Sequence, residues 1–173
     1  MKLKSLAPIA LLFVVGACSA SGELDMAQSK SEPIRPNSTV SFDVFALAEA
    51  GSDVDVDLGI DATKDLLFKK LEEDSNFASV VSDNGSSDYQ MEVQLSEVDV
   101  VAPSAQRWLG AFAGAHSIAA NVKVIDNSNG LEVTSFTARG DSAVQSIFSI
   151  WTQSYTFDAA VEAFGEKVVE GII

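Results

Sequence analysis

Apolar residues alternate with polar ones in several parts of the chain, which is typical of strands with one buried face. The pattern predicts a strand over 39–46, a short strand over 77–81 and a longer strand over 89–100. In the longest of these, the apolar positions change phase, and a bulge near Ser96 or Glu97 would restore the inward-facing set. These segments are predicted to belong to one sheet.

A hairpin is predicted in the next part of the chain. Residues 118–124 alternate apolar with smaller or polar side chains, and Leu131–Ala138 forms the returning arm. Between them, Asp126–Gly130 is rich in residues that favour turns. We therefore expect the two arms to form an antiparallel pair in the core of the sheet.

Two helices are predicted from apolar residues at helical spacing. The first would be capped by Asp61 and end near Asp74, with Leu67, Phe68 and Leu71 on its buried face. The second would be capped by Thr156. Its apolar stripe is Phe157, Val161, Phe164, Val168 and Ile172, and its outer row is Asp158, Glu162, Glu166 and Glu170.

The predicted order is β-α-β, then an antiparallel three-strand meander, then a C-terminal helix packed on the sheet. This order indicates an α+β fold of two layers, with helices on an antiparallel or mixed sheet. A single domain over 39–173 accounts for all of it, and the apolar run Ala143–Trp151 fits either a short helix or a strand.

The N-terminus has the features of an export signal. Lys2 and Lys4 precede a short apolar run, and small residues lead to Cys18, the only cysteine of the chain. This arrangement resembles the bacterial lipobox, in which the cysteine is lipidated and becomes the new N-terminus. Residues 1–17 are therefore predicted to be a signal peptide, and 18–38 a lipidated cysteine followed by a flexible tether.

The charge of the chain limits its partners. Loss of residues 1–17 would leave nine basic against 25 acidic residues, a formal charge of −16. Such a surface repels nucleic acid, so no nucleic-acid partner is predicted. Ser19 stands where an aspartate would favour inner-membrane retention of a lipoprotein. The predicted location is therefore the outer membrane, facing the periplasm, with the membrane contacted through the lipid.

Three aspartates spaced two apart over 53–57 suggest a calcium loop, but Leu58 and Lys64 stand where that loop needs glycine and glutamate. A solvated loop is predicted there. His116 is the only histidine, and it is interpreted as a hydrogen-bonded residue at a strand end. No triad, metal or phosphate-binding motif is recognisable, so neither an enzyme nor a cofactor is predicted.

A glycine- and alanine-rich run precedes the hairpin and is the candidate interaction surface. Its residues are Trp108, Leu109, Gly110, Phe112 and Gly114. Its glycines would allow a strand to bend or pack closely under a helix. The alternative is a contact between subunits or an edge that touches the membrane.

Five segments carry a family resemblance: Glu97–Asp99, Arg107–Gly114, Val122–Asp126, Asn129–Gly130 and Ala138–Gly140. Together they resemble a family of small bacterial lipoproteins that carry a domain of unknown function. The resemblance covers most of residues 39–173. It implies a periplasm-facing α/β domain, distantly similar to the curli-export lipoprotein and to the N-terminal domain of the Tol-system propeller protein, and it transfers no catalytic residue.

Two functions follow from this reading of the sequence. The first is a lipid-anchored protein-binding or assembly module that docks a periplasmic protein or another copy of itself. The alternative is a subunit of an oligomeric export or pore complex similar to the curli exporter. That alternative requires a hairpin with an apolar outward face, for which 109–120 is the candidate segment.

Overall fold

The computed structural model describes residues 20–28, 33–74, 77–82, 86–102, 114–143 and 156–173. Six strands and two helices lie in this part of the chain. In order, they are β1 (Ser21–Gln28), β2 (Thr39–Ala46), α1 (Asp53–Asp74), β3 (Ser79–Ser82), β4 (Tyr89–Asp99), β5 (Ser117–Asp126), β6 (Leu131–Asp141) and α2 (Phe157–Ile172).

The strands form one mixed sheet in the order β1-β6-β5-β4-β2-β3. Strand β2 lies parallel to both β3 and β4, and α1 connects β2 to β3. Strands β4, β5 and β6 form the antiparallel meander. The predicted α+β fold class is confirmed, as is the order of β-α-β, meander and C-terminal helix.

The predicted bulge lies in β4. Pairing with β5 proceeds regularly to Leu95 opposite Ala120, skips one residue, and resumes with Glu97 opposite Ala119. Leu95 and Val98 are three residues apart and would point to opposite faces in a regular strand. Because of the skipped residue, both point inward and both are buried. The extra residue therefore keeps both halves of the strand in one core.

Both helices contribute to a single core on one face of the sheet. Helix α2 packs on β6, β1 and β5, and α1 packs on β2, β3 and β4. The predicted apolar stripe of α2 is buried and its acidic row is exposed. Thr156 caps the helix by accepting a hydrogen bond from the Ala159 amide. This helix was therefore predicted correctly from its apolar spacing.

Helix α1 begins nine residues earlier than predicted, capped by Ser52 rather than Asp61, so the solvated loop expected over 53–57 is wrong. The Ser52 hydroxyl accepts from the Asp55 amide at 3.3 Å and donates to its carboxylate at 2.6 Å. This is the side-chain half of a capping box, and aspartates in a first turn are favoured by the helix dipole. The sequence Ser52-Asp53-Val54-Asp55 carried that signal, but the alternating aspartates obscured it.

The buried face of α1 also differs from the prediction. Leu67 and Leu71 are fully buried as expected, but Phe68 is 37% exposed. Lys70 is buried instead, with its Nζ 2.7 Å from Glu162 Oε1 on α2. The lysine stem packs between the helices while its charge reaches a carboxylate at their edge.

The flexible tether predicted over 18–38 is wrong for the part that the structure describes. Ser21–Gln28 forms β1, paired antiparallel with β6. Gly22 lies opposite Gly140, and α2 crosses both strands so closely that a Cβ at Gly140 would collide with the Ala160 carbonyl. This edge strand is therefore part of the domain.

Residues 33–38 are also part of the domain. The Arg35 guanidinium lies 5.2 Å from the Tyr89 ring centroid, and its Nε donates to the Tyr89 hydroxyl at 3.0 Å. Its Nη2 lies 3.4 Å from an Asp126 carboxylate oxygen. Ser38 is buried and donates to the Arg35 carbonyl. The folded domain thus begins before the predicted boundary at residue 39.

Candidate functional site

Most residues predicted to carry function lie outside the described part of the chain. These are Cys18, Trp108, Leu109, Gly110 and Phe112. Gly114 is described: it is exposed and its φ is +92°, a backbone conformation that L side chains rarely adopt. A Cβ there would have no neighbour within 4 Å. The positive φ, rather than the predicted close packing, therefore requires glycine at this position.

Residues 103–113 and 144–155 are outside the described structure, and the described residues that border them lie at one end of the sheet. A row of four paired residues crosses this end: Ser21, Asp141, Ser117 and Asp99. Directly beyond the row lie Ala102, Gly114 and Ala143, and Phe157 of α2 contacts the ring of His116 there. We call this row and its adjoining residues the Ser21 end of the sheet.

His116 lies at the centre of the Ser21 end and is buried. Its Nδ1 accepts a hydrogen bond from the Val101 amide at 3.1 Å, and its own amide donates to Ser142 Oγ at 2.9 Å. Its ring meets Phe157 edge-on, with 6.2 Å between ring centroids. The interpretation of His116 as a hydrogen-bonded strand-end residue is confirmed for Nδ1, and its ring and backbone together connect β4, β5, β6 and α2.

Burial lowers the pKa of His116, although Asp99 and Asp158 act in the opposite direction. The hydrogen bond from the Val101 amide to Nδ1 also favours the neutral imidazole. An amide N–H directed at Nδ1 requires that nitrogen to be unprotonated, so the imidazole is neutral with its proton on Nε2. His116 is thus a structural acceptor in the folded protein.

The open face of the sheet carries a charge network near the same end. The Arg139 guanidinium binds Glu97 through two nitrogens, at 2.6 and 3.0 Å, and also contacts Asp141 at 2.9 Å. The Arg139 hydrogen bonds, followed by one from Ser117, lower the pKa of Glu97. Because these groups satisfy one another, the network holds three strands in register.

A shallow groove of about 330 Å³ lies farther along the same open face. Glu92, Gln94, Asn121, Lys123 and Thr137 line it together with Phe45, Ala27 and Ser135. Thr137 donates to Asn121 within the groove, and Lys123 lies 3.5 Å from Glu132 at its side. Its polar groups are thus partly engaged with one another.

A second groove, of about 490 Å³, lies between α1 and α2 on the outside of the helical layer. Its apolar lining residues are Leu58, Ala62, Leu66 and Val161. Its charged lining residues are Asp61, Asp65, Asp158, Glu162 and Lys69. We call this the interhelical groove. Sequence reasoning missed it, because the groove needs both helices in place and Leu58 lies beside the stretch predicted as a loop.

The outward-facing hairpin predicted over 109–120 is wrong for Ser117–Ala120. These residues form the first half of β5, with Ile118 and Ala120 fully buried beneath the helices. Residues 109–113 lie outside the described structure. Neither α1 nor α2 contains an apolar run long enough to span a bilayer.

Comparison with solved structures finds proteins of similar structure. Two structures of the PelC dodecamer from Paraburkholderia phytofirmans match with a TM-score of 0.57 and 12% identity. The first match covers 88% of this chain and 98% of PelC. Protein XCC0632 from Xanthomonas campestris matches with a TM-score of 0.49 and 15% identity, covering 86% of this chain and 90% of that one. No curated protein matches the sequence.

The domain of unknown function expected from the sequence is also found. A family profile matches residues 54–146, from the first turn of α1 to just beyond β6. The finer likeness to the curli-export lipoprotein and the Tol-system domain stays a prediction. The match covers more than half of the chain, which therefore belongs to the family described as Domain of unknown function (DUF4410).

Proposed function

We propose that the protein is a lipid-anchored binding or assembly module of the bacterial envelope, held at the outer membrane through Cys18 and facing the periplasm. The observation that carries the binding role is the interhelical groove, which brings four apolar side chains and four carboxylates together on an outer surface. A surface of this kind fits a protein segment that presents an apolar side chain flanked by Lys or Arg.

The charges favour a basic partner over a second copy of the chain. Lys69 is the one basic residue among those that line the groove, against four carboxylates, of which Lys70 binds that of Glu162. The chain as a whole has a formal charge of −14. Repulsion between like charges opposes the binding of another copy at this groove, whereas basic side chains of a partner would be attracted to its carboxylates.

A pair of charge-neutralising variants tests the groove. A photo-crosslinking residue at Ala62 should capture a periplasmic segment rich in Lys or Arg around an apolar residue. Asp61→Asn with Asp65→Asn should reduce capture about tenfold, equivalent to about 1.4 kcal/mol. Glu23→Gln with Asp25→Asn makes the same change in charge on exposed β1 residues and should leave capture unchanged.

Other outcomes would overturn the binding role. Crosslinks from Ala62 to an acidic segment, to a second copy or to residues 144–155 of the same chain would show that the groove is used differently. An equal loss of capture in the β1 control would show that only overall charge matters. The proposal assigns no reaction to the chain, so binding is expected without turnover of the partner.

A second function is favoured by one specific observation, the dodecameric state of PelC. On that basis we propose, as the alternative, that this chain is a subunit of an oligomeric export complex. Extraction of the full-length lipoprotein in mild detergent, followed by sizing, separates the two. A discrete assembly of fixed copy number supports the alternative, and a monomer excludes it.

A further inference from the structure

The position of β1 fixes how far the domain can lie from a lipid on Cys18. Only Ser19 and Ala20 separate Cys18 from Ser21, where β1 begins. Three extended residues span at most about 10 Å. The lipid anchor proposed above is therefore confined to the neighbourhood of Ser21, and the three residues that precede β1 are too few to let the domain rotate freely.

Ser21 belongs to a row that crosses one end of the sheet. It pairs with Asp141, Asp141 pairs with Ser117, and Ser117 pairs with Asp99. The opposite end of β5 and β6 is the turn before Leu131. A strand of ten residues is about 30 Å long, so this turn lies about that far from the anchored row.

We propose that the Ser21 end of the sheet lies against the membrane surface and that the Leu131 turn points away from it. This orientation rests on the lipidation of Cys18 in the proposed function. It makes one end of the domain a lipid-facing surface, and it leaves the sides of the helical layer accessible to proteins in the periplasm.

The charges of the Ser21 end are compatible with a neutral lipid surface. Asp141 is bound by Arg139. Asp99 and Asp158 are exposed, so anionic headgroups would be repelled while zwitterionic ones would not. Phosphatidylcholine vesicles are therefore the appropriate surface for a test.

Site-specific thiol labelling tests the orientation. Full-length protein carrying Ala102→Cys or Leu131→Cys would be labelled with a thiol-reactive fluorophore and reconstituted into phosphatidylcholine vesicles that contain headgroup spin-labelled lipid. Both positions are exposed, Ala102 beside the anchored row and Leu131 at the far turn. We expect the label at Ala102→Cys to be quenched several-fold more strongly than the label at Leu131→Cys.

The wild-type protein is the control for lipidation, because Cys18 is its only cysteine. An acylated Cys18 takes up no label, whereas a labelled wild-type protein would show that the anchor itself is absent and would overturn the proposed function. If the wild type stays unlabelled but the two variants are quenched equally, or Leu131→Cys more strongly, the orientation alone is overturned.

Discussion

The two helices of this domain lie on the same sheet but relate to it differently. Helix α2 buries its whole apolar stripe, and paired glycines on β1 and β6 bring its backbone against the strands. Helix α1 buries Leu67 and Leu71 but leaves Leu58 and Phe68 partly exposed. The comparison shows that α2 stabilises the fold, while α1 also presents apolar surface outward, along one side of the interhelical groove.

The largest difference in the free energy of unfolding is expected between two phenylalanine-to-alanine substitutions, one on each helix. Phe164 on α2 is fully buried, whereas Phe68 on α1 is 37% exposed. Phe164→Ala should lower the free energy of unfolding by about 3–5 kcal/mol, because it leaves a cavity in the core. Phe68→Ala should lower it by less than about 1 kcal/mol. Urea denaturation of the two variants measures the difference, and equal losses would contradict the comparison.

A smaller difference in stability is expected from glycine substitutions at the two places where a helix meets the sheet, Gly140 on β6 under α2 and Gly59 on α1 itself. A Cβ at Gly140 would collide with the Ala160 carbonyl and lie 2.5 Å from the Phe164 amide nitrogen, both of which belong to the α2 backbone. Gly140→Ala should cost about 1–3 kcal/mol. A Cβ at Gly59 would meet Val98 methyl groups at 2.9 Å, and alanine gains about 1 kcal/mol in helix propensity.

Gly59→Ala is therefore the matched control for Gly140→Ala, and its net effect on the free energy of unfolding should be smaller. Thermal denaturation of both variants at one pH compares them directly. A larger loss from Gly59→Ala would mean that α1, rather than α2, is the helix held by close backbone contact.

The third prediction concerns pH, because His116 joins the first turn of α2 to the strands. Burial lowers its pKa in the folded state, so the unfolded chain takes up the proton first as pH falls below about 6.5. Stability should therefore fall from that pH down to the folded-state pKa, by at most about 1.4 kcal/mol per pH unit.

His116→Asn provides the comparison for this pH effect. Asparagine can offer an acceptor oxygen to the Val101 amide but does not titrate. Since His116 is the only histidine, the free energy of unfolding of the variant should depend less steeply on pH in this window. Parallel curves for the wild type and the variant between pH 7 and 5 would show that the imidazole does not carry the effect.

The smallest effect is expected at the ion pair between the helices. Lys70→Met keeps the packed stem but removes the contact with Glu162, whose side chain is 55% exposed. The expected loss is about 0.5–1 kcal/mol, and it should shrink at 1 M salt. Lys69→Met, an exposed neighbour on α1, should change stability by less. If the loss of stability in Lys70→Met does not depend on salt concentration, the effect comes from packing rather than from the ion pair.

The same contrast explains how much of the fold could be predicted from the sequence. Helix α2 and strands β2, β4, β5 and β6 were predictable because each buries one face, and burial imposes a regular spacing on apolar residues. Even the bulge at Ser96 was predictable, since a change of phase in a buried strand has one common structural solution.

Helix α1 and strand β1 were harder for a physical reason. The first turn of α1 is capped by Ser52, and its alternating aspartates give it no regular apolar spacing at the helical period. In β1 only Leu24 and Met26 are large apolar residues, and Met26 is 40% exposed. That strand depends on β6 and on Gly22 beneath α2, partners that are distant in sequence. The interhelical groove needs both helices in place, so no local pattern indicates it.

Strand β1 also has a mechanical consequence. An acyl chain on Cys18 would pull on the domain along the axis of this strand, because the anchor lies just before its first residue. Force applied in that direction is shared by all the hydrogen bonds between β1 and β6, which must slide together rather than open one after another. The attachment of the domain to its membrane would then resist tension through the sheet itself.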